Sequence, residues 1–294
     1  MSDQASALRK IVQNIKKQRA REDGARIVAV TSGKGGVGKS NVTVNMAISL
    51  SKKGQRVLIV DADFGLANVD VMMGITPEFD LGYVIRGQKS IREVIFEGPF
   101  GVRVVSGGSG VSDLLNLAEP QLLSVMENLL ALEDVADVIL FDTGAGVNQN
   151  VLRLIGASHE VIVVTTPEPT AIMDAYALIK TVESSGSNAR MRLVVNKAES
   201  VGEAVNTLAK FAAVVRLYLK LEMEELGYVL MDPVVAKAVR LQKPFVISFP
   251  KSAAARNIDS ITWKFLNVEP EHAPGMRGFF RNLAERGRSL TGGK

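Results

Sequence analysis

Short apolar runs alternate along this chain with stretches of helical spacing. Ile27-Val28-Ala29-Val30 reads as a buried strand, and Val42 to Leu50 reads as the first turns of a helix. Residues 56–61 form a second strand. Residues 64–98 are mixed, with turn signals at Gly74, Pro77, Gly82, Gly87 and Gly98. Residues 102–106 give a third strand, followed by the flexible Gly107-Gly108-Ser109-Gly110. A helix over 119–132 opens on Pro120, which suits a first turn. Val138-Ile139-Leu140-Phe141 is the most apolar strand. Residues 160–165, 192–196 and 228–231 read as further strands, with helices near 170–184, 201–221 and 233–241. Residues 245–248 read as a last strand and 253–265 as a last core helix, with Trp263 in the core. Runs this continuous belong to strands covered on both faces. The pattern therefore predicts a doubly wound α/β fold in one domain: a mostly parallel sheet with helices on both sides. Residues 1–25 and 269–294 fall outside the alternation as terminal appendages.

Composition narrows the class. The chain has 294 residues, 47% hydrophobic and 22% charged, which describes an ordinary globular protein. No apolar run approaches the ~20 residues of a membrane span. The N-terminus lacks the apolar core of a secretory signal. Cysteine is absent, which excludes disulfides, thiolate zinc sites and cysteine-ligated iron–sulfur clusters and fits a cytoplasmic location. The net charge of +4 is uneven: residues 1–23 carry +3, residues 276–294 carry +4, and the body between them is −3. Basic ends suit acidic partners such as anionic lipid, nucleic acid or an acidic protein. The first end holds Leu8, Ile11, Val12 and Ile15 at helical spacing. A helix so short is marginal alone and suits folding on a partner.

The chemistry concentrates at strand ends, where doubly wound sheets bind ligands. Gly33-Lys34-Gly35-Gly36-Val37-Gly38-Lys39-Ser40 fits the phosphate-cradling pattern GxxxxGK[ST] between a strand and a helix. Its glycines let backbone N–H groups turn toward a phosphate, and the helix start adds a positive dipole end. Lys39 is placed to reach the β- and γ-phosphates, and the Ser40 hydroxyl to reach Mg²⁺. Asp142 ends the most apolar strand and opens Asp142-Thr143-Gly144-Ala145-Gly146, which suits Mg²⁺ coordination directly or through water. Asp61 and Asp63 follow the second strand. A carboxylate there can order Mg²⁺-bound water or orient the attacking water. Asn196, before Lys197, can read a purine edge because its amide both donates and accepts. His159 and His272 have no partner pattern and read as structural.

These residues resemble the ParA/MinD ATPases of the SIMIBI class, over residues 26–268. The Gly33–Ser40 stretch is similar to their deviant Walker A motif. The resemblance implies ATP and Mg²⁺ as ligands, with Gly33, Lys34, Gly35, Gly36, Val37, Gly38, Lys39, Ser40 and Asn41 around the phosphates. It implies that the second lysine, Lys34, reaches across a nucleotide-sandwich homodimer. Lys34, Lys39 and Asp63 would then be the catalytic residues, Asp63 orienting the hydrolytic water. Ser40, Asp61 and Asp142 would serve the metal, Asn196 would face adenine, and Asp232-Pro233 would form the adenine-side loop. Asn41 departs from the threonine common at its position and leaves the Ser40 hydroxyl in place.

The two ends point within the family. Asp3-Gln4-Ala5-Ser6-Ala7-Leu8-Arg9 resembles the N-terminal DQAxxLR motif of its flagellar-number regulators (the FlhG branch). Asp3, Gln4, Leu8 and Arg9 would then activate the signal-recognition-type GTPase FlhF, with Gln4 at the composite site. Met276 to Leu290 looks like the family's membrane-targeting helix. Phe279, Phe280, Leu283 and Leu290 can form one face, ringed by Arg277, Arg281, Arg286 and Arg288. Gly278 and Gly287 weaken it as a free helix. The resemblance thus implies a cytoplasmic switch that associates reversibly with the inner face of the membrane. Flagellar switch (C-ring) components or a flagellar transcription regulator are further partner classes. A DNA-binding partition ATPase, another MinD-like positioning ATPase or a nucleotide-dependent adaptor are the alternatives, and the Phe279-Phe280 pair favours membrane over nucleic acid.

Overall fold

A computed structural model describes residues 24–63, 68–108, 130–267 and 275–291, with side chains of the last helix to Leu283. Asp3, Gln4, Leu8, Arg9, most of the helix expected over 119–132, His272 and the side chains of Arg286, Arg288 and Leu290 lie outside the described residues. The strands are β1 (Arg26–Ser32), β2 (Val57–Ala62), β3 (Ile95–Glu97), β4 (Arg103–Ser106), β5 (Val138–Ala145), β6 (Glu160–Thr165), β7 (Arg190–Ala198) and β8 (Glu224–Leu230). They form one sheet in the order β3-β4-β2-β5-β1-β6-β7-β8. Every neighbouring pair is parallel except β3 with β4. The doubly wound expectation therefore holds, with one short antiparallel edge strand that the mixed 64–98 stretch did not signal.

Burial explains the strand runs. Along β1, Ile27 and Ala29 pack on one face of the sheet, Val28 and Val30 on the other. Both sides of the alternation are apolar because helices cover both faces. One face carries α1 (Lys39–Lys52), α2 (Asn68–Met73), α8 (Pro233–Arg240), α9 (Phe245–Ser248) and α10 (Ala253–Asn267). The other carries α3 (Leu81–Ile85), α4 (Leu132–Val135), α5 (Gln149–Ala157), α6 (Pro169–Ser184), α7 (Val201–Leu219) and α11 (Gly275–Thr291).

Three expectations are corrected. Residues 245–248 are helix, not strand. Pro244 precedes them, its carbonyl accepts from the N–H groups of Ile247 and Ser248 at 3.0 Å each, and Asn45 Oδ1 accepts from Val246 N at 3.0 Å. A short apolar run alone does not distinguish the two states. Trp263 is 46% exposed rather than core, because α10 buries Ala254, Ile258, Ile261 and Phe265 and Trp263 lies off that stripe. Its ring instead meets Lys53 Nζ, 4.8 Å from the centroid. Strand β8 begins four residues before the expected 228–231, at Glu224, whose carboxylate pairs with Arg192 Nε at 3.1 Å. That pair belongs to a buried charge chain at the N-terminal strand ends. Arg26 and Arg192 both meet Glu160, and the Phe265 ring lies 3.7 Å from the Arg26 guanidinium.

The sequence leaves open whether the last helix is docked or free. Met276, Phe279, Phe280 and Leu283 are buried in the core, so the helix is docked. Phe279 stacks on Phe141 of β5, centroids 5.2 Å apart and planes 9° from parallel, and Phe280 meets Phe279 edge-on at 5.4 Å. Helix α11 packs mainly on α5, and Glu133 of α4 accepts from Met276 N at its start. Residues 275–283 are thus part of the packed domain. Among the described residues no helix is long and apolar enough to cross a membrane.

Candidate nucleotide site

The parallel sheet brings the C-terminal ends of β1, β2, β5, β6 and β7 to one edge, and the Gly33–Ser40 loop, Asp61, Asp63, Asp142 and Asn196 sit there. Strand β1 hands the chain to the loop, and α1 begins at Lys39. Gly36 and Gly38 take φ values of +78° and +93°, which side chains rarely adopt. A Cβ on Gly33 would lie 2.2 Å from the backbone of Asp174 in α6, so only glycine lets the loop pass that close.

Lys39 Nζ lies 3.0 Å from Asp142 Oδ1 and 3.4 Å from Ser40 Oγ. Thr43, one turn along α1, donates to the same Asp142 oxygen at 2.8 Å. Asp142 is fully buried, and its second oxygen has no hydrogen-bond partner among the described residues. A buried carboxylate oxygen left open in this way suits a cation. The space where Cβ atoms of Gly35 and Gly36 would stand is also open. The residues present therefore fit a phosphate chain with Mg²⁺: the loop N–H groups and Lys39 on the phosphates, Ser40 and Asp142 on the metal. Thr43 was not singled out in the sequence; its place four residues after Lys39 on one helix face is the signal that could have found it.

Asp61 stands beside Asp142 on the neighbouring strand but is heavily committed. Its carboxylate accepts from the backbone N–H groups of Asp63, Asn68 and Val69 at 3.1, 3.1 and 3.2 Å. Burial, and then the nearby Asp142 charge, pushes its carboxyl up to about 7. Its second task is to hold the chain after β2 where Asp63 leaves it. Asp63 is half-buried, accepts from Asn68 Nδ2 at 3.3 Å, and stands 3.2 Å from where a Cβ of Gly144 would be. Burial raises its carboxyl, and Lys39 partly offsets that.

Lys34 does not enter its own chain's site. Its ammonium lies on the rim, 3.2 Å from Glu168 Oε2 and 3.0 Å from Thr170 Oγ1. Asn196 Nδ2 donates to Val37 O at 2.7 Å, so its amide faces the loop. Asp232 is an N-cap: its carboxylate accepts from Val234 N at 3.1 Å and from Ala254 N at 3.3 Å, with Pro233 at the first turn of α8. Asn41 accepts from Asn45 Nδ2 through its backbone carbonyl at 2.8 Å.

Known proteins share the sequence pattern and the fold. The ParA sequence profile, described as NUBPL iron-transfer P-loop NTPase, matches residues 24–266. The iron-transfer part of that description meets a chain without cysteine. The antiactivator FleN of Pseudomonas aeruginosa is 39% identical over 239 residues, 81% of this chain and 85% of its own length. The flagellum site-determining protein YlxH of Helicobacter pylori is 32% identical over 292 residues, 96% of this chain and 98% of its own. The septum site-determining protein MinD of Pyrococcus horikoshii, solved with Mg-ADP, shares the fold with a TM-score of 0.64 at 22% identity, over 82% of this chain and 96% of that one. With the loop, the strand-end aspartates and these relatives together, the chain belongs to the ParA/MinD family of P-loop ATPases.

Proposed function

We propose that this chain is an ATP-driven switch that regulates the number and placement of flagella. The name of its YlxH relative, a flagellum site-determining protein, supports that role, and the site supports ATP with Mg²⁺ as its ligands. The loop N–H groups and Lys39 hold the phosphates; Ser40, Asp142 and Asp61 hold Mg²⁺ directly or through water. Bound Mg²⁺ supplies positive charge against the phosphates in the transition state. Asp63, half-buried beside Gly144, orients the attacking water. The Asp232-Pro233 loop borders the base, while the Asn196 amide is engaged with the phosphate loop.

One observation carries the dimeric reading: Lys34 lies outside its own chain's phosphate site, on an exposed rim. Weak surface pairing with Glu168 leaves it free to exchange partners. In a face-to-face homodimer it crosses to the second copy and steadies charge there. Helix α11 is tied to the same events. Phe141, under Phe279, directly precedes Asp142, and α5 follows the 142–148 segment. Movement of that segment on ATP binding loosens α11, whose Arg277, Arg281 and Arg286 then meet anionic lipid while Phe279, Phe280 and Leu283 enter the interface. Each arginine adds about 1 kcal/mol there, so association is peripheral and reversible. The N-terminal residues Asp3, Gln4, Leu8 and Arg9 stimulate the FlhF GTPase, and C-ring components or a flagellar transcription regulator receive the signal.

The test is Lys34→Ala with ATP and Mg²⁺, followed by light scattering and vesicle sedimentation. The variant keeps nucleotide binding and loses both dimer and sedimentation. Full dimerisation without Lys34 would overturn the trans role.

A further inference from the structure

Two carbonyls of the phosphate loop are gripped from outside the loop. Asn196 Nδ2 donates to Val37 O, and Lys197 Nζ donates to Gly36 O, both at 2.7 Å. Asn196 and Lys197 are consecutive residues near the end of β7. A planar trans peptide carries a carbonyl and the next residue's N–H on opposite edges. Drawing the Gly36 carbonyl toward Lys197 therefore turns the Val37 N–H the other way. Drawing the Val37 carbonyl toward Asn196 does the same for the Gly38 N–H. These are the donors that a glycine-rich cradle presents to phosphate.

The local backbone is shaped around this grip. Lys197 has φ +58°, a left-handed conformation in which a lysine is strained. Gly38, at φ +93°, has no Cβ. One there would lie 2.2 Å from Asn196 Nδ2, so the glycine is what admits the amide. Lys197 is surface-exposed apart from its bond to the loop, and no packing role accounts for its side chain.

We propose that Asn196 and Lys197 are positioning residues that pre-orient the Val37 and Gly38 N–H groups toward the phosphates of a nucleoside di- or triphosphate. They act through the loop, not through the base. The inference rests on the nucleotide-binding reading above. A preset loop binds tighter because the ligand need not order it.

The experiment titrates the full chain with fluorescent ADP and fluorescent GDP in the presence of Mg²⁺, for wild type, Asn196→Ala, Lys197→Met, Lys197→Arg and Lys197→Gly. Losing one charged or buried donor weakens both nucleotides about five- to tenfold, with the ADP-to-GDP ratio unchanged. Lys197→Arg restores most of the affinity. Lys197→Gly relieves the left-handed strain, so the free protein's Tm holds or rises while binding weakens. A merely structural lysine would lose Tm and affinity together, and that result overturns the proposal. So does unchanged affinity in Asn196→Ala and Lys197→Met, or a shifted ADP-to-GDP ratio, which would make them base readers. If wild type binds neither nucleotide, this inference and the functional reading both fall; if wild type binds and the variants match it, only this inference falls.

Discussion

Phe279→Ala tests how firmly the last helix belongs to the domain. Phe279 is fully buried, stacked on Phe141 and flanked by Phe280. Deleting a buried phenylalanine ring removes its transfer free energy and leaves a cavity, together about 3–5 kcal/mol. The offset-parallel pair with Phe141 adds about 0.5–1.5 kcal/mol beyond area. Two routes are open to the variant. If α11 stays docked around the cavity, the whole domain loses those 3–5 kcal/mol, and Tm falls by roughly 10 °C. If docking is weaker than the cavity cost, α11 leaves instead, and the loss is capped at its docking free energy. Tm then changes little, while amide hydrogens of 275–283 exchange at the rate of an unfolded segment. Calorimetry and hydrogen exchange on the same sample read both outcomes, and the second route also raises vesicle binding without ATP. Wild-type Tm together with wild-type protection of 275–283 would refute the packing argument.

Three further perturbations follow from the same structure. Asp63→Ala lowers ATP hydrolysis by about 10²-fold, the scale of a lost general-acid–base or positioning group. It should leave an ATP-bound dimer that persists in light scattering, and a variant that stays monomeric with ATP counts against the role. His159 is pushed down to about 4 by burial, so the unfolded chain binds its proton first. Stability is then lost as pH falls from about 6.5 to about 4, by at most about 3 kcal/mol. His159→Gln removes that part of the acid slope in urea melts, and an unchanged slope argues against it. Gly33→Ala puts a methyl 2.2 Å from the Asp174 backbone. Backbone cannot step aside cheaply, so Tm drops by several degrees and nucleotide binding is lost; normal binding by this variant would refute the tight passage.

The phosphate loop was legible because its chemistry is local. The glycines, Lys39 and Ser40 lie within eight consecutive positions, between a strand run and a helix run that the apolar pattern marks. Asp61, Asp63 and Asp142 were legible for a related reason: in a parallel sheet every strand end reaches the same edge, so position on a strand implies position at the site. Asp232 is a different case. A residue before Pro and a helix is also a good N-cap, and the structure uses both carboxylate oxygens for capping. Thr43 and Lys197 were missed because their partners, Asp142 and Gly36, are 99 and 161 positions away.

The sequence by itself determined the strand–loop–helix unit, the strand-end carboxylates and the layered α/β class, since each follows from short-range spacing. It also determined that the last helix has an apolar face. Only the tertiary structure decided what that face covers, because the hydrophobic effect has no direction and a periodic stripe suits a lipid surface or a protein core equally. Packing on Phe141 and α5 gave it an address beside the nucleotide site. The fold likewise left Lys34 on the rim while Lys39 turned inward to Asp142. Two lysines five residues apart in one motif thereby face different surroundings.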